Sequence, residues 1–489
     1  TEIYTLSLHD ALPIYQPMKD IKIFLYFFLI LFSVSISPLS AENIDTVGDI
    51  ETIDNVKDVN LYNDDENEKL KDSNPVYYFN ASANVDGDGS KNNPYKYLRD
   101  ERLPYGVTAY FADGVYEINS PCTVYSNDGV SITSATQVTF IGQSMENTII
   151  KYVGNASIAI KIPDLARLFV SNMTFNHATI ENRGTLDGTN VAFINNHGVD
   201  IHANLGYNNS FGGAIYSPGS NYYAAFSMPS YLKLNNCLFI NNTAVYGGSI
   251  YHKNGNTIIK NSKFYNSSSG LYGGVLATDG GNITIENCIF ENYRADDDAG
   301  GAIYSKVTNL AIKNANFANG HADFGGAICN LNSNLIIENV NFTNNFAKFD
   351  GGTIYDMYGN VTIKNVNIIQ SQARDGGALF IDNCTSVIIK NTSFDESTAT
   401  RIGGTIFSNA NKLNLTNVTF GRSSALIDNI IHSQDKYNYD IGYNSNYELM
   451  KYNSSYNGVL PSKYNLVEEG YSTPYVIKWQ VEIVGLLVH

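Results

Sequence analysis

Acidic side chains stand just before four successive Gly-Gly pairs in this chain, at Asp298, Asp323, Asp350 and Asp375. If the segments that carry them stack, four carboxylates line up at strand spacing, and because like charges repel, such a row needs cations. The neighbouring lysine and arginine side chains supply the cations in one interpretation, and calcium supplies them in another. A third interpretation uses two carboxylates as the catalytic pair of a glycosidase or polysaccharide lyase.

Other residue types that carry chemistry are sparse and scattered. The five cysteines are an odd number, which argues against a full disulfide framework in an exported protein. The chain contains neither Cys-x-x-Cys nor His-x-x-x-His, so a structural zinc site has no support. We therefore assign no catalytic residue and no binding residue from the sequence. The four aspartates remain calcium candidates, and no other cofactor is expected.

The residues before and after these aspartates belong to a long repeat. Its first marker is a glycine pair, whose first members are separated by 35, 26, 27, 25, 26, 25 and 27 residues. These first glycines are Gly212, Gly247, Gly273, Gly300, Gly325, Gly351, Gly376 and Gly403. The second marker, Asn-x-x-Phe, keeps the same period and begins at Asn236, Asn261, Asn287, Asn314, Asn339, Asn365 (with Ile368 in place of Phe), Asn391 and Asn417. Two markers in phase indicate a stacked repeat architecture.

Each repeat predicts about three short strands joined by sharp turns. Ile283 and Ile285 alternate as in a strand, and Cys288 and Phe290 alternate on the opposite parity, so the chain turns at Asn287. Asparagine tolerates left-handed dihedrals, and stacked asparagines bond to one another along a ladder. We expect this ladder to point inward, with columns of phenylalanine and isoleucine beside it. The unit is too short for a propeller blade, so the prediction is a parallel β-helix.

The repeats resemble a known class of surface protein. Gly-Gly-Ala-Ile-Tyr at 212–216 and 300–304, with Phe-x-x-Asn at 193–196 and 239–242, is similar to the repeats of polymorphic outer-membrane proteins. The surrounding asparagine and tyrosine are similar to adhesin-like surface proteins of methanogenic archaea. This resemblance implies an all-β, right-handed, single-stranded parallel β-helix, a pectin-lyase-like solenoid with about 26 residues per coil. The resemblance covers residues 76–420 and includes no carboxy-terminal membrane barrel pattern.

Composition divides the chain into five parts. Residues 1–17 resemble a translated sequencing adapter and are expected to be non-native. Residues 18–41 have the charged, apolar and small-residue order of a signal peptide. Residues 42–75 are expected to be an acidic, disordered spacer. The β-helix is expected at 76–430. Residues 431–489, rich in tyrosine and asparagine, are expected to be a truncated tail that begins an immunoglobulin-like module.

Three functions fit these features. The preferred one is an exported, cell-surface, adhesin-like β-helix stalk, whose partner is a surface polysaccharide or a protein of a host or neighbouring cell. The tyrosine-rich insertion at 204–231 is its expected binding surface. The alternatives are a β-helix polysaccharide lyase or glycoside hydrolase, and a structural surface-layer protein. The formal charge of −16 excludes bulk-charge binding to nucleic acid. Contact with a membrane is expected only through the signal or a missing anchor.

Overall fold

The computed structural model describes residues 75–103, 106–124, 137–154, 158–200, 209–219, 229–433 and 439–441. All of them lie in the larger of two compact units, Lys69–His489. Residues 1–74 lie outside the described residues; they include the adapter-like segment, the predicted signal peptide and all but the last residue of the predicted acidic spacer. Half of the 204–231 insertion and nearly all of the tail after Ser433 also lie outside them. Among the described residues the only helix is a 3-10 helix at Asp100–Arg102, so no helix there is able to cross a membrane.

The amino-terminal coils are built from eleven strands of uneven length. They are β1 Val76–Phe79, β2 Thr108–Phe111, β3 Gly114–Ile118, β4 Cys122–Thr123, β5 Gln137–Gly142, β6 Thr148–Tyr152, β7 Ile158–Ile162, β8 Arg167–Asn176, β9 Thr179–Asn182, β10 Thr185–Ile194 and β11 Val199–Asp200. The segment between β1 and β2 is held by Asp86, whose carboxylate lies 2.6 Å from the Arg102 guanidinium. The hydrogen bond from Arg102 lowers the pKa of Asp86 to about 2.

The regular coils begin inside the predicted 204–231 insertion, whose residues 210–211 and 215–217 form strands that pair with the following coil. Their strands are β12 Ser210–Phe211, β13 Ile215–Ser217, β14 Tyr231–Asn235, β15 Leu238–Ile240, β16 Thr243–Tyr246, β17 Ile250–Lys260, β18 Lys263–Tyr265, β19 Ser268–Tyr272, β20 Leu276–Glu286, β21 Ile289–Glu291, β22 Arg294–Ala295, β23 Ile303–Lys313, β24 Asn316–Ala318, β25 His321–Phe324, β26 Ile328–Leu331, β27 Asn334–Glu338, β28 Asn341–Asp350, β29 Ile354–Met357, β30 Asn360–Lys364, β31 Asn367–Asp375, β32 Leu379–Asp382, β33 Ser386–Ile402, β34 Ile406–Asn409, β35 Leu413–Phe420, β36 Ser423–Ser424, β37 Ile431–Ser433 and β38 Tyr439–Ile441.

The strands pair from coil to coil and form a right-handed parallel β-helix, as predicted. Each strand pairs with the strand that occupies the same place one coil later, so β17 pairs with β20 and β20 with β23, all in parallel. Among the described strands only β11 and β12 pair antiparallel. The solenoid has about 11 turns of about 26 residues each. Because each coil is completed only by its neighbours, the core is continuous along the axis.

The interior contains the predicted columns. Phenylalanine rings of successive coils stack with centroids 4.3–5.5 Å apart from Phe175 to Phe342. Ile303 pairs in register with Leu276 on one side and Ile328 on the other, and all three are fully buried. The five cysteines are free and buried, so they belong to the core and form no disulfide framework. The inner phenylalanine stack, as we call the Phe175–Phe342 column, is the centre of this core.

The asparagine ladder exists, but the prediction that it points inward is wrong. Asn287 has φ of 55°, and its Nδ2 donates to Oδ1 of Asn261 at 3.1 Å. The ladder continues through Asn314, Asn339, Asn365, Asn391 and Asn417, and every one of these side chains is exposed. A left-handed residue makes the corner by placing two successive side chains outside, so the alternation shifts without moving the asparagine into the core.

A second exposed ladder was not anticipated from the sequence. It joins Asn195, Asn241, Asn266, Asn292, Asn319 and Asn344, each at positive φ. The Nδ2 atoms of Asn241 and Asn266 each donate to an asparagine of the previous coil. The signal was present as a second asparagine five residues after the first in several repeats.

Candidate functional site

The glycine pairs form the turn that positions the candidate site. The first glycine of each pair has a left-handed conformation, such as φ of 73° at Gly300. A Cβ on the second glycine of this pair, Gly301, would lie 2.0 Å from the carbonyl oxygen of Gly326 in the next coil. Only glycine fits this close approach. The residues just before the pair and those a few positions after it consequently lie on one outer side of the solenoid, coil after coil.

Aromatic side chains occupy these outer positions and form what we call the aromatic strip. Its first segment comprises Phe211, Tyr216, Tyr246, Tyr251, Tyr272 and Tyr304, and its second segment comprises Phe324, Phe349, Tyr355, Phe380, Phe407 and His432. Neighbouring ring centroids within each segment are 4.4–6.1 Å apart. Cys329 stands in register between Tyr304 and Tyr355 and separates the segments.

The rings of the strip are ordered by their neighbours yet remain accessible. Tyr216 and Phe407 are buried, and the other ten are half-buried. Burial is the main cause that raises the pKa of Tyr251 and of Tyr272 to about 12, so both hydroxyl groups stay protonated at neutral pH. The strip thus offers ring faces and hydroxyl donors together along one side of the solenoid.

The acidic row lies beside the strip but does not form one stack of four carboxylates. Asp350 pairs in register with Asp375. The bridge between Ala299 and Phe324 puts Asp298 beside Asp323, while Phe324 is in register with Asp350. The row is therefore two pairs offset by one residue. The sequence contains the reason, because the first pair stands two residues before its glycines and the second pair stands one residue before.

Basic side chains neutralise three of the four carboxylates. Lys348 Nζ lies 3.7 Å from Asp323, and Arg374 Nη2 lies 2.9 Å from Asp350. Arg401 Nε donates to Asp375 Oδ1 at 2.7 Å. Asp298 is different, since among the described residues no lysine, arginine or histidine forms an ion pair with it; burial raises the pKa of Asp298, and the nearby Tyr272 hydroxyl only partly offsets this.

The second carboxylate pair is covered by protein. The Asp350 side chain is 9% exposed and that of Asp375 is 1% exposed. Burial raises the pKa of Asp350 despite Arg374, while Arg401 and Arg374 hold the pKa of Asp375 below its usual range despite burial. In the part of the chain that the structure describes, no group of three or more His, Cys, Asp or Glu side chains is arranged to hold a metal ion.

A further carboxyl group lies in the interior of the solenoid, at a residue that the sequence did not single out. Asp356 is fully buried, and it accepts hydrogen bonds from Asn330 Nδ2 at 2.6 Å and from Cys384 Sγ at 3.1 Å. No cation of the described residues pairs with it. Burial therefore raises the pKa of Asp356 to about 7. The same inner column contains His252, also fully buried, whose pKa burial lowers to about 4.

The sequence located the acidic row and missed the aromatic strip. The prediction placed the binding surface on the 204–231 insertion instead. Half of that insertion lies outside the described residues, and the described half contains Phe211 and Tyr216 of the strip. The usable signal was the aromatic residue that follows isoleucine after many of the glycine pairs, because that residue must face outward if the isoleucine faces inward.

Comparison with known proteins agrees with the architecture. A family model described as "right handed beta helix region" matches residues 248–420. No curated protein matches the chain. The solved structure of a mannuronic acid specific polysaccharide family 6 lyase from human gut microbiota is 12% identical, has a TM-score of 0.45, and covers 83% of this chain and 94% of its own. The A-module of the mannuronan C-5 epimerase AlgE4 of Azotobacter vinelandii is 12% identical, with a TM-score of 0.21 and coverage of 69% and 90%. Residues 248–420 thus match the right-handed β-helix family, the same architecture that the strand pairing shows.

Proposed function

We propose that this chain is an exported, surface-displayed, adhesin-like β-helix that binds a glycan along its aromatic strip without turning it over. The observation that carries the proposal is the strip itself, with its half-buried rings on one side of a rigid solenoid. Ring faces that remain accessible along a repeating structure suit a ligand that repeats along its own length. Export and surface display rest on the signal-like composition of residues 18–41.

The geometry of the strip favours a linear polymer that runs parallel to the solenoid axis. Each coil adds a ring at about the 4.8 Å spacing of hydrogen-bonded strands. Sugar rings have apolar faces that pack on aromatic faces, and the tyrosine hydroxyls donate to sugar oxygens. The protein rings are already held by their neighbours, so binding costs little side-chain entropy. Weak contacts repeated on one rigid support add up to useful avidity.

An enzyme is the second candidate, and one observation favours it. Asp350 and Asp375 are adjacent carboxyl groups whose pKa values are shifted in opposite directions, a pattern typical of acid and base pairs. However, a general acid or base must reach the proton that it transfers. Asp375 is 1% exposed and is held by two guanidinium groups. We therefore prefer binding over catalysis.

The test is a glycan panel with the full chain, in which binding and the release of unsaturated or reducing ends are measured together. Tyr304→Ala and Phe380→Ala remove one ring from each strip segment and should each weaken binding about tenfold, roughly 1.4 kcal/mol. Phe346→Ala is the matched control, because Phe346 is an exposed ring, 38% accessible, that lies off the strip.

Two results would change the proposal. Product release that disappears in Asp350→Asn would make the chain an enzyme. Glycan binding that Tyr304→Ala and Phe380→Ala leave intact would remove the strip as the binding surface. A protein partner captured through the same two rings, with no glycan bound, would retain the strip and replace the ligand.

A further inference from the structure

We infer that the corner formed by Asp298, Tyr272 and Tyr304 recognises a positively charged amino group, and that the glycan ligand carries unsubstituted amino sugars. This inference rests on the proposed function and names its ligand more closely. Asp298 lies beside the first segment of the strip, because the amide of the next residue, Ala299, donates to the carbonyl oxygen of Leu271 at 3.2 Å. Tyr272, which follows Leu271, and Tyr304 have ring centroids 4.4 Å apart. A ligand that follows the strip passes this carboxylate.

The first argument is the missing cation. In the acidic row Asp323, Asp350 and Asp375 each have a lysine or arginine partner. Asp298 is half-buried, and among the described residues no cation forms an ion pair with it. Burial and the neighbouring Asp323 raise the pKa of Asp298, which means that its negative charge is poorly compensated. A cation that arrives with the ligand removes this deficit.

The second argument is the kind of cation that the corner suits. The faces of Tyr272 and Tyr304 attract organic cations through their ring electrons. Calcium takes six to eight oxygen ligands. The corner offers the carboxylate of Asp298, with Asp323 in the next coil already near Lys348. An ammonium group needs only one carboxylate, one or two further acceptors and an aromatic surface, so it fits where calcium does not.

The third argument concerns the position of the corner along the strip. Asp296 and Asp297 are in the same turn, but both side chains are exposed and Asp296 already pairs with Arg294 at 2.8 Å. Asp298 alone of the three is half-buried, and the backbone bond from Ala299 to Leu271 places it next to Tyr272 of the strip. An amino group attached to a sugar ring that stacks on the strip is thereby placed next to Asp298 rather than in open solvent.

The experiment compares two oligosaccharides that differ only at nitrogen. Binding of the full chain to chitosan oligosaccharide and to the fully N-acetylated oligosaccharide of equal length is measured by calorimetry, at a pH where the sugar amine is protonated. The expected result is at least tenfold tighter binding of the amine form. Asp298→Asn should abolish this preference, and Asp297→Asn, which changes the same charge in the same turn, should keep it. Thermal unfolding of each variant shows that it folds.

Equal affinity for the two oligosaccharides, or a preference that survives in Asp298→Asn, would overturn the inference. If the chain binds a neutral glycan through Tyr304 and Phe380 but shows no preference for the amine form, the proposed function stands and the inference alone fails. Binding of neither oligosaccharide, together with Asp298-dependent binding of polylysine, would assign the corner to a protein cation and overturn the amino-sugar ligand. Binding of no ligand at all would overturn both proposals.

Discussion

Two stacks of aromatic rings run along the solenoid, one in its interior and one on its outer surface. Phe290 and Phe317 of the inner phenylalanine stack are 4.3 Å apart, and Tyr272 and Tyr304 of the aromatic strip are 4.4 Å apart. The spacing is the same because both stacks follow the coil repeat. Their surroundings differ, since Phe317 is 1% exposed and Tyr304 is half-buried. Stacking alone therefore does not separate a structural residue from a binding residue, but solvent access does.

Carboxyl groups show the same contrast between the outer surface and the interior of the solenoid. Asp350 and Asp356 lie in one coil on either side of a glycine pair. The outer one, Asp350, is neutralised by Arg374 at 2.9 Å. The inner one, Asp356, has only an amide and a thiol as partners. On the outer surface the carboxylate keeps its charge and pairs with a cation, whereas in the interior the carboxyl group keeps its proton.

The largest effect is expected from the inner stack. Phe317→Ala should cost about 3–5 kcal/mol, because it leaves a cavity between two stacked rings. Tyr304→Ala should cost about 1–2 kcal/mol, since the Tyr304 side chain is only partly buried in the folded chain. The measurement is the urea midpoint of each variant against the unchanged chain, with the exposed Phe346→Ala as the reference for a surface ring. Equal losses at Phe317 and Tyr304 would erase the distinction between the two stacks.

The inner carboxyl group contributes stability that is present in acid and lost as the pH rises. Burial raises the pKa of Asp356 in the folded state to about 7 from its ordinary value of 3.8. Its neutral form is favoured by folding, so this stabilisation is complete below about pH 4 and is lost as the pH rises through 7. The loss is about 4 kcal/mol, at about 1.4 kcal/mol for each pKa unit. Thermal unfolding between pH 4 and 9 measures it.

Asp356→Asn isolates this effect, because it keeps the shape and removes the charge. We expect the variant to be more stable than the unchanged chain above pH 7 and to lose the part of the pH dependence that belongs to this residue. Asp297→Asn, an exposed change of the same type, should leave the pH dependence as it was. A pH profile that is identical with and without Asp356 would show that the inner carboxyl group is compensated after all.

Removing the cation that pairs with an outer carboxylate should lower the free energy of unfolding. Arg401→Ala removes one partner of Asp375, whose side chain is 1% exposed, and should cost about 1–3 kcal/mol. The low end of this range applies because the Arg401 side chain is itself 56% exposed, so solvent screens the ion pair. Adding Asp375→Asn should recover most of the loss, and denaturant unfolding of the single and double variants measures it.

Arg422→Ala is the control for this pair. Its partners Asp395 and Glu396 are 42% and 31% exposed, so removing the cation should lower the stability far less than Arg401→Ala does. Similar losses at Arg401 and Arg422 would mean that burial of the carboxylate does not set the strength of these pairs.

The smallest effect is expected on the outer surface, at Val307. This valine has φ of 53° and is 58% exposed, and a β-branched residue is strained in that conformation. Asn254 and Asn332, which also have positive φ, and Gly280 turn the neighbouring coils at the corresponding place. Val307→Asn should therefore stabilise the chain by about 1 kcal/mol, seen as a higher urea midpoint. A lower midpoint would give Val307 a packing role that its exposure does not indicate.

The sequence by itself determined the coil. Gly300 and Asn287 have local requirements, a left-handed backbone and a corner, that hold whatever lies around them. Because these requirements recur about every 26 residues, the period, the strands between corners and the inner columns were all predictable. The buried rings and aliphatic residues followed from alternation within each strand.

Only the tertiary structure decided which side chains are in contact on the outer surface of the solenoid. Asp350 and Arg374 are 24 residues apart, and their contact depends on the register between coils. A one-residue offset from the glycines divided the acidic row, and the corner geometry placed the asparagine ladder in solvent. The aromatic strip arose in the same way, from rings on both sides of a turn that come together only after the chain has closed its coil. A single residue type determines a local dihedral preference, whereas the neighbours of a surface side chain depend on how residues distant in sequence stack.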